Sequence, residues 1–169
     1  MLFLSQKNHK PMRNKFLSNI LLTFIWVALT GDFAFSNFLF GFLLSFFILR
    51  MVTYGESSAK YFRIVPKTVA FIFYFLNELV KANLQVAYEV MTPRFNMTPG
   101  IVGFPLDART DLEISILANL ISLTPGTLSL DVSDDRKVLY VHSMYIKNRE
   151  TFIAGLKNGF EKRLLEILR

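Results

Sequence analysis

Residues 16–49 read FLSNILLTFIWVALTGDFAFSNFLFGFLLSFFIL, with Asp32 the one ionisable side chain among them. Two apolar stretches, Phe16 to Leu29 and Phe33 to Leu49, are separated only by Thr30, Gly31 and Asp32. A secretory signal would end after the first stretch at a small-residue cleavage pattern; none occurs, and the apolar character resumes at once. The stretch is read as two membrane helices joined by a tight turn. Gly31 can take the left-handed conformation that such a turn needs, Asp32 suits a water-exposed tip, and Trp26 suits the nearby interface. At 1.5 Å per residue, stretches of roughly 14 to 17 residues reach about 21 to 26 Å, short of a hydrocarbon core of about 30 Å. Local thinning or neighbouring subunits must make up the difference.

Outward from the hairpin the charge is basic on both sides. Lys7, Lys10, Arg13 and Lys15 precede it, and Arg50, Lys60, Arg63 and Lys67 follow it, while the tip carries no cation. The positive-inside rule puts residues 1–15 and the loop 50–63 in the cytoplasm. Much of the formal net charge of +6 therefore flanks helices, which fits an anionic membrane surface better than nucleic acid.

The 64–91 segment is mixed. Thr68 to Leu76 is apolar, but Asn77, Glu78, Lys81, Asn83, Gln85 and Glu89 follow. Leu76, Leu79, Val80, Leu84, Ala87 and Met91 recur at helical spacing, which predicts an amphipathic helix. If that helix spans, the C-terminal region lies outside. If it is partly embedded along the interface, that region is cytoplasmic, and the cost of six polar residues in hydrocarbon favours this second placement.

At Thr92 the composition becomes that of a small soluble domain, 92–169, opened by Thr92-Pro93 and Thr98-Pro99-Gly100. Gly100 to Asp107 reads as a strand. Thr110 and Glu113 form a capping box at the head of a helix from Asp111 to Leu123. Pro125 and Gly126 stop it, and Leu128, Leu130 and Val132 alternate with polar residues as in a half-buried strand. A turn at Asp134 and Asp135 leads to a strand from Lys137 to Ile146, and Arg149 to Arg169 reads as a helix with Phe152, Leu156, Phe160 and Leu164 on one face. The predicted fold is a membrane α+β protein: a transmembrane helical hairpin, a third amphipathic helix and a β-α-β-β-α domain.

Chemistry-bearing patterns are sparse. There is no cysteine, so thiolate metal sites and cysteine nucleophiles are excluded. No phosphate-binding loop, HExxH or GxSxG occurs. His9 and His142 are the only histidines, with no pattern around them to activate. Glu78 and Lys81, three apart, fit an interfacial ion pair better than an ion path, and Glu89 reads the same way. The glycine pair Gly100 and Gly103 matches the backbone clamp of K-homology domains, but it opens a predicted strand in a domain of balanced charge, so no nucleic-acid partner is expected. No catalytic residue, cofactor or metal is assigned.

The run Leu123-Thr124-Pro125-Gly126-Thr127-Leu128-Ser129-Leu130-Asp131-Val132, with Leu139-Tyr140-Val141-His142 after it, resembles the E subunit of the multisubunit monovalent cation/proton antiporters, the Mrp, Mnh or Pha family. The resemblance takes in the hairpin, the basic loop and the last helix. It implies an accessory subunit of a prokaryotic plasma-membrane complex that exchanges sodium, in some cases potassium, for protons, with other subunits and the lipid bilayer as partners. Larger subunits of that family are thought to carry the ions. The turn Thr124, Pro125, Gly126, Thr127 has no ionisable side chain and reads as a helix stop and strand start. A free-standing membrane-anchored binding module and a small self-assembling channel are the competing readings. The hairpin's scattered Ser18, Asn19, Thr23, Ser36, Asn37 and Ser45 argue against a pore.

Overall fold

The structure is a computed structural model that describes residues 10–52, 59–93 and 97–169, side chains excepted at 10–13 and 59. Lys7, His9 and residues 53–58 of the basic loop lie outside the described residues, and the side chains of Lys10 and Arg13 outside the described side chains. The chain forms two compact units, Met1–Pro66 and Lys67–Arg169.

The first unit is built on α1 (Lys10–Thr30) and α2 (Phe35–Val52). Between them Gly31 sits at φ +66°. The Asp32 carboxylate accepts from the Ala34 amide at 2.9 Å. Asn37 ties the turn shut, donating to Thr30 Oγ1 at 2.7 Å and to the Asp32 carbonyl at 2.6 Å, while accepting from Trp26 Nε1 at 3.0 Å. The helices meet along small or short polar residues four apart: Asn19, Thr23 and Val27 on α1 and Gly41 and Ser45 on α2 are buried. Small residues let two helices approach closely where lipid gives no hydrophobic drive to pair them. A Cβ on Gly41 would stand 2.8 Å from the Trp26 ring. Thus three of the hairpin's polar residues are the seam itself. Asn19 donates to the Tyr61 hydroxyl at 2.9 Å, and Thr23 bonds back to the Asn19 carbonyl at 2.8 Å. Phe24, Phe40, Leu43 and Phe47 are left exposed.

Both helices outrun the apolar stretches, α1 by its basic first turns and α2 through Val52, so Arg50 is helical. Among the described residues Phe35–Val52 is the one helix long and apolar enough to cross a membrane; Asn14–Thr30 is a shorter apolar helix. The third helix, α3 (Ala59–Met91), starts five residues before the expected Ile64 and carries Pro66 inside it, so Lys60 and Arg63 are helical rather than in the loop.

The second unit holds the rest of α3 and the order β1 (Gly100–Pro105), α4 (Asp111–Leu123), β2 (Thr127–Val132), β3 (Val138–Ser143), α5 (Arg149–Leu156), a π turn (Lys157–Glu161) and α6 (Lys162–Leu168). The strands form one antiparallel sheet in the order β1-β3-β2, with a bulge between Ser129 and Asp131. Phe104, Leu139 and Val141 pack on Leu117, Ile121, Leu156, Phe160 and Leu164, and Phe71 of α3 joins that core. The other sheet face leaves Ile101, Leu128, Leu130 and Tyr140 exposed.

Two strands end earlier than expected. β1 stops at Pro105 because the Asp107 and Ala108 amides turn to the Glu161 carboxylate, at 2.6 and 2.9 Å. β3 stops at Ser143 because Met144 and Ile146 turn to Thr98, in an isolated parallel bridge of Tyr145 with Thr98. The last helix is one rod with a π turn in it. Phe152, Leu156, Phe160 and Leu164 recur every four residues, and each such step overshoots a 3.6-residue turn by about 40°. The extra residue of the π turn rotates the later pair back toward the core.

Candidate functional site

The Thr124–Thr127 turn is held by its own hydroxyls. Thr124 Oγ1 donates to the Leu120 carbonyl at 3.0 Å, and Thr127 Oγ1 donates to the carbonyls of Ile121 and Thr124 at 2.6 and 2.9 Å. The hydroxyls thus add to the backbone bonds that the Ile121 and Thr124 carbonyls accept from the Thr124 and Thr127 amides, both at 3.1 Å, and tie down the end of α4. Gly126 stands at φ +87°, where a Cβ would be strained and would meet the Tyr145 ring at 3.1 Å. Its carbonyl accepts from the Met144 amide at 2.8 Å, so the turn anchors β3 as well as starting β2.

Thr124, Pro125 and Thr127 line a cavity of about 380 Å³ whose opposite wall is α3, with Tyr74, Glu78, Lys81 and Gln85. The structure therefore brings the turn and the Glu78–Lys81 pair to one recess. Lys81 Nζ lies 2.8 Å from Glu78 Oε1, with the lysine mostly exposed. Chemically the recess offers hydroxyls, an amide and one self-compensated ion pair. Among the described residues no three His, Asp or Glu side chains gather as a metal site. His142 lies on β3, on the face away from the core and level with Ile101 and Leu128. Gly100 and Gly103 lie within β1, where a Cβ on Gly103 would press on Val138 at 3.1 Å. They are strand residues, not a clamp loop.

A second cavity, of about 1030 Å³, is ringed by an ion network that the sequence did not suggest. Lys157 bridges Asp107 at 2.9 Å and Glu161 at 2.8 Å, and Arg136 meets Asp111 at 2.7 Å. Glu161 is 1% exposed. Glu113, buried at the head of α4, accepts from the Arg109 and Thr110 amides and from Arg169 through both oxygens, at 3.0 and 3.1 Å. The capping box was legible in the sequence; the arginine 56 residues away was not.

The Arg169 guanidinium, with the two amides assisting against the burial penalty, holds the Glu113 carboxyl at about 2, against an ordinary value of 4.5. A depressed folded value stabilises the protein above the unfolded value and loses that stabilisation as pH falls through the folded one. The contribution is on the order of 2 to 3 kcal/mol, allowing for screening at the half-exposed arginine. Acidification from about pH 5 to pH 2 should therefore strip hydrogen-exchange protection from the α4 amides in the wild-type chain. The Glu113→Gln chain should start less protected at neutral pH and change little over that range. Equal pH dependence in the two would contradict the assignment.

The profile of the Na+/H+ ion antiporter subunit family matches residues 19–167, from the seam residue Asn19 into α6. The E subunit of the Na(+)/H(+) antiporter of Alkalihalophilus pseudofirmus is 37% identical over 158 residues, 94% of this chain and 100% of that one. This chain belongs to the E-subunit family of Na+/H+ antiporters. A second such E subunit, from Bacillus subtilis, is 35% identical over the same shares. Among solved structures, a chain of the membrane-bound sulfane sulfur reductase, an archaeal respiratory membrane complex, superposes with a TM-score of 0.52 at 30% identity, covering 89% of this chain and 96% of that one. The family is one of transporter components, and this chain joins apolar helices, one of them long enough to cross a membrane among the described residues, to a small antiparallel sheet domain.

Proposed function

We propose that this E subunit is an accessory member of a multisubunit Na+(K+)/H+ antiporter, supporting assembly and stability rather than carrying the ion pathway, and that it is not an enzyme. The observation that carries this reading is the hairpin seam. It closes on itself through Asn19, Thr23, Val27, Gly41 and Ser45, with Asp32 at the turn the only ionisable group from Phe16 to Leu49. A conduction path needs groups that replace an ion's hydration across the bilayer, and a self-filled seam without charge supplies none. The outward Phe24, Phe40, Leu43 and Phe47 suit lipid or the helices of neighbouring subunits, and the uncovered sheet face around Ile101, Leu128 and Tyr140 suits a docking partner. The hairpin crosses the plasma membrane with its N-terminus and the Arg50 end in the cytoplasm and the Gly31 turn outside, as the flanking cations require. The C-terminal domain lies on the cytoplasmic side, bracing the assembly.

Expression of the intact operon with a tag on this chain, purification in mild detergent and mass spectrometry test the reading. Large membrane subunits should co-purify in fixed ratio. A lone, folded, monodisperse chain would overturn it and leave a free-standing membrane-anchored binding module.

A further inference from the structure

The geometry points to α3 lying in the plane of the membrane surface, its stripe from Val69 to Met91 immersed in lipid and the C-terminal domain riding on its opposite side. This rests on the membrane assignment above and chooses between the two placements that the polar second half of the helix leaves open in the sequence.

Two stripes run along α3 from Val69 to Met91. Phe71 and Glu89 are buried, and Tyr74, Phe75, Glu78, Leu79, Ala82 and Val86 are half-buried, at steps of three and four that mark one side of a helix. That side faces the domain. Tyr74 meets the Phe160 ring at 5.8 Å and lies under the Arg163 guanidinium at 4.4 Å, Lys67 pairs with Glu166 at 2.7 Å, and the turn recess reaches Gln85. Half a turn away Val69, Phe73, Leu76, Val80, Leu84 and Met91 are all exposed, Phe73 at 68% and Leu84 at 66%. The polar residues that counted against a membrane helix are thus distributed by side. Glu78, Gln85 and Glu89 sit toward the domain and Asn77 and Lys81 on one flank. Asn83, on the other flank, spends its amide on the Leu79 carbonyl at 2.8 Å.

The domain meets α3 from Lys67 to Gln85, about 27 Å of helix at 1.5 Å per residue. Were α3 to cross the bilayer, the domain would be carried to the same depth, with Arg163 and Glu166 in hydrocarbon at several kcal/mol each. Lying flat removes that cost. Six apolar side chains enter the acyl boundary, Lys81 on the flank keeps its pairing with Glu78, and the domain stays in water.

The chain has no cysteine, so single substitutions Phe73→Cys, Leu76→Cys, Val80→Cys and Leu84→Cys each accept one spin label. Whatever the tag recovers is reconstituted in phosphatidylcholine/phosphatidylglycerol vesicles, and label depth is read from oxygen against nickel-chelate accessibility. All four labels should sit at one shallow depth, about 5–10 Å into the boundary. Depth that climbs steadily along the helix from one aqueous surface toward the other would show that it spans. Labels shielded from both oxygen and nickel would show a protein covering the stripe, and either result overturns the inference. Co-purification decides the accessory role independently of both.

Discussion

Replacing Glu161 with alanine should destabilise the C-terminal unit by roughly 3–5 kcal/mol, the range for removing one partner from a buried charged cluster. One carboxylate oxygen accepts from two consecutive amides, Asp107 and Ala108, at 2.6 and 2.9 Å, and the other faces the Lys157 ammonium at 2.8 Å. Alanine leaves both amides without their carboxylate acceptor, that of Ala108 in a buried residue, at about 1–3 kcal/mol for a buried amide and less for the half-covered Asp107 amide. Lys157 is less affected, since it keeps Asp107 at 2.9 Å and the Pro105 carbonyl at 2.7 Å. Glu161→Gln retains an oxygen for the amides and should lose only about half as much. A domain's whole stability is about 5–15 kcal/mol, so the alanine chain should unfold in far less urea. Hydrogen exchange at the Asp107 and Ala108 amides, read through the urea series, checks it. An alanine chain within about 1 kcal/mol of wild type would show that the clamp is not what joins the β1–α4 connection to the last helix.

The second large effect belongs to the Thr124–Thr127 turn. Pro125→Ala with Gly126→Ala puts a Cβ on a backbone at φ +87° and against the Tyr145 ring. Left-handed strain on a non-glycine residue is about 1–2 kcal/mol, and loss of the proline adds about 0.5–1 through the unfolded chain. Relief of that strain must move either the Thr127 hydroxyl off the α4 carbonyls or the Gly126 carbonyl off Met144. Both changes reshape the recess against α3. Under the accessory reading the amount of complex recovered through the tag should fall several-fold, while the complexes that do form keep their cation preference. Pro125→Ala alone should be mild. A fully assembled double variant with changed preference would place this turn in the transport machinery.

How far the sequence reached depended on whether the deciding signal was local. The Gly31 turn and the capping box of Thr110 and Glu113 involve residues within a few positions of one another, and each appears where the pattern puts it. The alternation after Thr127 marks the strand, but a bulge between Ser129 and Asp131 interrupts it and leaves Leu128 and Leu130 exposed. The early ends of β1 and β3 were not legible. The groups that divert those backbones, Glu161 and Thr98, are more than forty residues away in the chain. The same holds for the pairing of Glu113 with Arg169. The π turn left a trace, the fourfold spacing of Phe152, Leu156, Phe160 and Leu164, which an uninterrupted α-helix would smear over a third of its circumference. The start of α3 lies five residues before the expected Ile64, with Pro66 tolerated inside the helix. The polar residues of α3 weigh against a span when counted along the chain, and the helical spacing of Leu76, Val80 and Leu84 already separates them from an apolar stripe. Which side the domain covers was not legible, because its contacts come from residues such as Phe160, Arg163 and Glu166 far along the chain.

The central claim is that this chain supports the antiporter without carrying its ions, and the Glu78–Lys81 ion pair on α3 gives the most direct test. Glu78→Gln with Lys81→Gln removes both charges at once, leaving no unpaired partner, from a site where the lysine is already mostly exposed. Sodium/proton exchange would be measured in everted vesicles and normalised to the assembled complex recovered through the tag. The account predicts unchanged turnover and unchanged apparent sodium affinity per complex. A normally assembled complex whose turnover collapses, or whose cation preference shifts, would contradict it.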